Sequence, residues 1–341
     1  MKKILIALLA LTLVGCSTKK PVETQTPAPT ETPVVTEGKV SVGVGSVTSF
    51  KVSDAAADKE GSAQVNTTFA TVVLEGDLIK YVSFDTAQNS AKFDTTGKIL
   101  TESDAKTPTK KEKKDDYGMR GSSEIGKEWF EQIAFLEEFA LGKTVEEFLA
   151  TAVDADAYPT DTDLLTGCTM KINGYLAAFE VAANNAVEVE GASEVGLGSS
   201  TSMSLRDADA DKEGRVQANT TYAVVALDES GLIVYNAIDT AQNSIAITLE
   251  GIATASEDTR TKKEKLEDYG MREASPIKKE WFEQIASLEE YSLGKSVADF
   301  LAVPTEENVP TGEDLITSVT MDIESYLKAV ETANNNKVSV K

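Results

Sequence analysis

The chain has 341 residues, 56 acidic and 33 basic side chains, a formal net charge of −23, two cysteines and no histidine. Without imidazole there is no Ser-His-Asp or Cys-His hydrolase, no His-ligated zinc or copper and no haem on a proximal histidine, and two thiols are too few for an iron–sulfur cluster. Any redox role must run on an organic cofactor, and so acidic a surface argues against nucleic acid as a partner, because affinity there comes from Lys and Arg on phosphates.

In chain order, residues 1–15 place Lys2 and Lys3 before an apolar run from Ile4 to Val14. This is the pattern of a secretory signal peptide, too short to span a bilayer as a helix. Leu13-Val14-Gly15-Cys16 resembles a bacterial lipobox, which implies diacylglycerol on Cys16 as the new first residue and anchoring by more than one acyl chain. The expected location is the extracytoplasmic face of the cell membrane. Residues 16–38 follow as a tether with four of the nine prolines and no aromatic residue, a composition that cannot form a core. Extended at roughly 3 Å per residue, it reaches on the order of 60 Å.

An internal repeat organises the rest. Asn66-Thr67-Thr68 recurs at Asn219, Asp85-Thr-Ala-Gln-Asn-Ser90 at Asp239, Asp116-Tyr-Gly-Met-Arg120 at Asp268, and Lys127 to Ala134 at Lys279. Residues 116–150 and 268–302 are identical at 25 of 35 positions. The spacing predicts two tandem homologous domains, 39–187 and 188–341, and leaves open whether they pack together.

Gly43-Val44-Gly45 is only part of a dinucleotide fingerprint and has no helix after it, so it is set aside. Val65–Leu74 and Leu78–Phe84, split by Glu75-Gly76-Asp77, predict a hairpin; Ala91–Asp94 adds a third strand. Residues from Ile125 to Leu141 carry Trp129, Ile133, Leu136 and Ala140 at helical spacing, closed by Gly142. Thr144 to Glu147 reads as a capping box, and a last helix covers about Met170 to Asn185. Strands early and helices late predict an α+β fold, an antiparallel sheet packed with C-terminal helices in each domain.

Several residues admit both a binding and a structural reading. Trp129 and Trp281 could stack on a planar ligand, although their spacing favours the core. Asp85 and Gln88, with Asp239 and Gln242, could hold a ligand's polar edge or serve turn chemistry. The basic runs Thr109–Lys114 and Thr261–Lys265 could meet a phosphate or be solvated loops.

The strongest lead is Asp163-Leu-Leu-Thr166-Gly167-Cys168-Thr169. It resembles the Asp-x-x-Ser/Thr-Gly-Ala-Thr signature of the FMN-binding domain family, found in flavin subunits of sodium-pumping and Rnf-type respiratory complexes and in flavinylated surface lipoproteins. The resemblance implies FMN joined by a phosphoester to Thr169, transferred from FAD by a flavin transferase, with Asp163, Thr166 and Gly167 as recognition positions. A hydroxyl at a helix amino terminus suits a phosphate; alternatively Thr169 and Thr320 are simply N-caps. Cys168 replaces the family's alanine, and Lys171-Ile172 replaces its Thr-Ser. The second copy reads Asp314-Leu-Ile-Thr317-Ser318-Val319-Thr320 with Asp322 in place of Lys171, so Thr320 is expected to be the weaker acceptor. The resemblance implies a membrane-anchored, non-enzymatic flavin electron carrier served by a membrane reductase. The competing expectation is a flavin-free surface binding or structural module on the same scaffold.

Overall fold

A computed structural model describes residues 39–341; the signal peptide 1–15, Cys16 and the 16–38 tether lie outside the described residues. Repeat one opens with three long antiparallel strands, β1 (Lys39–Ser53), β2 (Gly61–Glu75) and β3 (Leu78–Phe93). The helices α1 (Lys110–Lys113), α2 (Trp129–Ala140), α3 (Val145–Leu149) and α4 (Asn173–Asn184) follow. Strand β4 (Val187–Glu190) then returns to pair with β1, giving the order β3-β2-β1-β4. The division expected at 187/188 therefore falls inside a strand of the first sheet.

Repeat two runs β5 (Glu194–Arg206), β6 (Gly214–Leu227), β7 (Ile233–Ile247) and β8 (Ala253–Ala255). It continues through α5 (Lys262–Lys265), α6 (Trp281–Ser292) and α7 (Val297–Leu301). A small hairpin of β9 (Thr305–Glu306) and β10 (Val309–Pro310) precedes α8 (Glu324–Asn335) and β11 (Val338–Ser339). Its large sheet has the order β11-β5-β6-β7-β8. The fold is α+β, as expected. Among the described residues no helix is long and apolar enough to cross a membrane.

Each sheet is apolar on both faces, which explains the unbroken runs Ala70–Leu74 and Ala223–Leu227. One face of the first sheet, with Ala70, Val72 and Phe84, packs under Trp129, Ile133, Leu136 and Phe179 of the helices. The opposite face, with Phe69 and Val73, packs on Leu197, Tyr222 and Val224 of the second repeat. The result is four layers, helix–sheet–sheet–helix. Helix α4 can lie this close to β1 because a Cβ at Gly43 or Gly45 would overlap the α4 backbone, and Gly196 and Gly198 do the same for α8. The glycine pair that resembles a nucleotide loop is thus a packing groove.

The two repeats meet about a pseudo-two-fold axis. The equivalent residues Phe69 and Tyr222 stack on each other, centroids 5.8 Å apart and planes within 9°. Ala55 N–H donates to Gly251 O at 2.9 Å and Ala208 N–H to Gly97 O at 3.0 Å. A polar seam of buried Thr67, Asn89, Thr220 and Asn243 separates two apolar clusters of the sandwich, and Asn243 Nδ2 crosses it to donate to Thr48 Oγ1 at 2.9 Å.

Three local expectations change. Ala91–Asp94 is not a third strand, because β3 runs through to Phe93 and the polar stretch Asp85–Ser90 lies inside it. The whole of β1 was not anticipated. The last helix starts at Asn173 with Ile172 as its N-cap, three residues after Thr169, so neither the helix-terminus argument nor the N-cap reading applies to that threonine.

Candidate functional site

The near-identical segments Asp116–Arg120 and Lys127–Ala134 build one wall. Gly118 turns the chain at φ 76°, and the buried Glu128 carboxylate then accepts Met119 N–H at 2.9 Å and Arg120 N–H at 2.7 Å. Burial works against this carboxylate, yet those backbone donors and Arg120 hold its pKa below the usual range. The arrangement fixes the 119–123 loop against α2. The same bonds form at Glu280, Met271 and Arg272.

Gln132 joins that wall to the motif. Its Nε2 donates to Ser123 Oγ at 3.0 Å and to Lys127 O at 3.3 Å, while Oε1 accepts Thr169 N–H at 2.8 Å. The Thr169 hydroxyl lies 3.5 Å from the same Oε1, at the weak limit of a hydrogen bond. The half-buried Thr169 lines a cavity of about 520 Å³ with Met119, Ser122, Tyr158, Met170 and Lys171. Lys171 Nζ stands 5.0 Å from the centre of the Tyr158 ring. Glu124 and Asp154 also line it, and Asp154 Oδ1 is taken up by the N–H groups of Asp156 and Tyr158. Met119, Met170 and Tyr158 give the cavity apolar surface and Lys171 an ammonium, while the Ser122 hydroxyl donates to Met119 O at 3.0 Å.

Of the four motif residues, Thr169 alone lines this cavity. Asp163 and Thr166 are exposed, and Thr166 Oγ1 donates to Asp163 O at 2.7 Å within a single 3₁₀ turn. Leu164 and Cys168 are buried pegs in the core, and burial pushes the Cys168 thiol up to about 11. At Gly167 a Cβ would overlap the Phe135 ring. Its lack of a side chain therefore admits a phenylalanine rather than a cofactor. Repeat two has Ser318 at this place and Ser287 in place of Phe135, a matched exchange of volume.

Thr320 repeats the contact with Gln284 Oε1, 2.9 Å from N and 3.4 Å from Oγ1. Asp314 and Thr317 are exposed. Ile323 N–H donates to Asn308 O as Ile172 N–H donates to Ala157 O, both at 3.0 Å, which aligns Val309 with Tyr158 and Asp322 with Lys171. Thr320 thus lacks both the aromatic wall and the ammonium.

The other sequence candidates fall into the framework. Trp129 and Trp281 are buried, each Nε1 donating at 2.7 Å to a tyrosine hydroxyl, Tyr175 and Tyr326 respectively. Asp85 and Asp239 sit in mid-strand rather than in turns, and their carboxylates accept Lys111 N–H and Lys263 N–H, both at 3.1 Å. The basic runs form the capped turns α1 and α5. Lys111 Nζ donates to Glu137 at 2.7 Å and to Ser83 Oγ at 2.8 Å. Lys110 lies over Tyr117 and Trp129, where burial pushes its pKa down to about 8. Gln132, Ser122, Ser123, Met119 and Tyr158 were missed. The exact recurrence of Gln132 as Gln284 was the available signal.

No family model matches the chain, and no solved structure matches it. Over 54 residues it is 50% identical to chlorophenol reductase from Desulfitobacterium hafniense, a stretch covering 15% of this chain and 16% of the length of that protein.

Proposed function

We propose that this chain is a lipid-anchored electron carrier of the extracytoplasmic membrane face that holds FMN as a phosphoester on Thr169. The observation that carries the reading is the placement of Thr169 on a cavity of about 520 Å³ lined in part by Met119, Tyr158 and Met170, with only one weak competing hydrogen bond at its hydroxyl. The flavin, when bound, supplies one- or two-electron chemistry. Met119, Met170 and Tyr158 would hold its rings, while Ser123 and the Lys171 ammonium would hold its phosphate. Gln132 fixes the Thr169 backbone so that the hydroxyl is presented at one place. Cys16 supplies the anchor, a flavin transferase loads Thr169, and a membrane reductase donates electrons. Thr320, with Asp322 beside it, stays unloaded. The short likeness to a reductase supports redox chemistry in general terms and names no substrate for this chain.

Intact-mass analysis of the chain co-expressed with an active flavin transferase tests this. One FMN adduct is expected, lost in Thr169→Ala and kept in Thr320→Ala. No adduct on the wild-type chain overturns the reading. It would leave the flavin-free surface module, which one observation favours: the motif glycine, Gly167, is occupied by Phe135.

A further inference from the structure

The polar seam between the repeats is made of equivalent side chains, Thr48, Thr67 and Asn89 from repeat one and Thr201, Thr220 and Asn243 from repeat two. Thr48 pairs with Thr67 across β1 and β2 as Thr201 pairs with Thr220 across β5 and β6, while Asn89 and Asn243 stand on the third strands, β3 and β7. Thr67, Asn89, Thr220 and Asn243 are each 2% exposed or less.

The two halves of the seam are not satisfied alike. On one side Asn243 Nδ2 donates across the interface to Thr48 Oγ1 at 2.9 Å, and that hydroxyl lies 3.4 Å from Thr67 Oγ1. On the other side the pseudo-two-fold axis sets Asn89 opposite Thr201, with β3 against β5. There the direct bond is not made. Asn89 Nδ2 and Oδ1, Thr201 Oγ1 and Thr220 Oγ1 are buried and have no hydrogen-bond partner among the described residues, and neither has Asn243 Oδ1. Exchanging the two ends of the Asn89 amide leaves this unchanged, because both ends are unpaired. The Thr107 hydroxyl donates to Thr201 O at 2.6 Å, so the loop before α1 is tied to β5 beside the seam, whereas its counterpart Thr259 is exposed.

The unpaired atoms specify what completes them. A buried polar group left without a partner carries its full desolvation cost, and in native structures such groups are paired with protein or with water. Asn89 Nδ2 only donates, the Asn89 and Asn243 carbonyl oxygens only accept, and the threonine hydroxyls do either. A cation meets the amide N–H and an anion meets the carbonyls. A small neutral species that both donates and accepts suits every atom, and the apolar clusters on either side of the seam confine it there. We propose that an internal water is bound between the repeats, accepting from Asn89 Nδ2 and bridging to the Thr201 and Thr220 hydroxyls, in place of the direct bond that Asn243 makes to Thr48. Three protein partners are what a buried water typically has.

Two measurements on the full chain test this. Oxygen-17 relaxation dispersion counts long-lived waters through the water oxygen itself, so threonine hydroxyls do not contribute; Asn89→Leu should lower its amplitude by about one water. Thr220→Val, the exchange that the repeats themselves show between Thr71 and Val224, removes the hydroxyl at nearly constant shape. Removing a hydroxyl that water satisfies forfeits a hydrogen bond and should lower the urea unfolding midpoint, whereas removing an unsatisfied one relieves a cost and raises it. This second variant decides the matter even where Asn89→Leu does not fold. An unchanged amplitude in folded Asn89→Leu, or a raised midpoint in Thr220→Val, would overturn the proposal.

Discussion

Replacing Gly167 with serine would drive a side chain into the Phe135 ring. Overfilling a packed site costs about 1–3 kcal/mol, and the Phe135 ring sits on the helix-side core, so about 2 kcal/mol is expected. Phe135→Ser alone should cost about 1–2 kcal/mol through lost apolar burial. The double variant recreates the Ser318/Ser287 pair of repeat two, and the clash disappears. Urea unfolding of the four proteins should give a favourable coupling of roughly 2 kcal/mol, well above the few tenths expected for independent sites. Additive costs would refute the packing role of Gly167. A double variant that regains stability and still takes up flavin would show that the glycine serves the phenylalanine and not the cofactor.

Burial raises the Asp85 carboxyl to about 6 from an ordinary 3.8. The folded state then binds more protons than the unfolded state between those values, so stability falls as pH rises from about 4 to about 6, by about 3 kcal/mol at most. Asp85→Asn, which keeps an acceptor for Lys111 N–H, should flatten that part of the stability profile measured by denaturation. Ala157 holds φ 69°, where repeat two has Asn308 at φ 66°; Ala157→Asn should raise stability by about 0.5–1 kcal/mol, read as a higher unfolding midpoint. Tyr175→Phe leaves the buried Trp129 N–H without its partner and should cost about 1–3 kcal/mol, with a shift in tryptophan fluorescence.

The elements that the sequence made legible have a single clear period. Helix α2 carries Trp129, Ile133 and Leu136 on one stripe, and the β2–β3 hairpin is broken only by Glu75-Gly76-Asp77. Strand β1 was hidden because Gly43, Gly45 and several serines lower its strand signal, and only the α4 backbone lying across it explains them. The continuation of β3 was hidden for a related reason. Asp85, Asn89 and Thr86 look like turn residues but are buried, Asn89 in the seam between sheets and Asp85 under α1. The threonine motif pointed to Thr169 itself, whereas its cavity is assembled by loops from 119–123 and 154–158 that no local pattern connects.

The stack of Phe69 on Tyr222 has a bearing on how such a molecule can change. Each repeat presents a bare apolar sheet face that its own double covers, the self-complementary contact of a symmetric dimer. In a true dimer every substitution appears twice, so a residue near the axis must suit both halves at once. Joining the halves in one chain removes that constraint. One side keeps tyrosine beside a smaller cavity while the other keeps phenylalanine beside a larger one; one motif is followed by Lys171 and the other by Asp322. Two copies of a single design are thereby free to become two different sites.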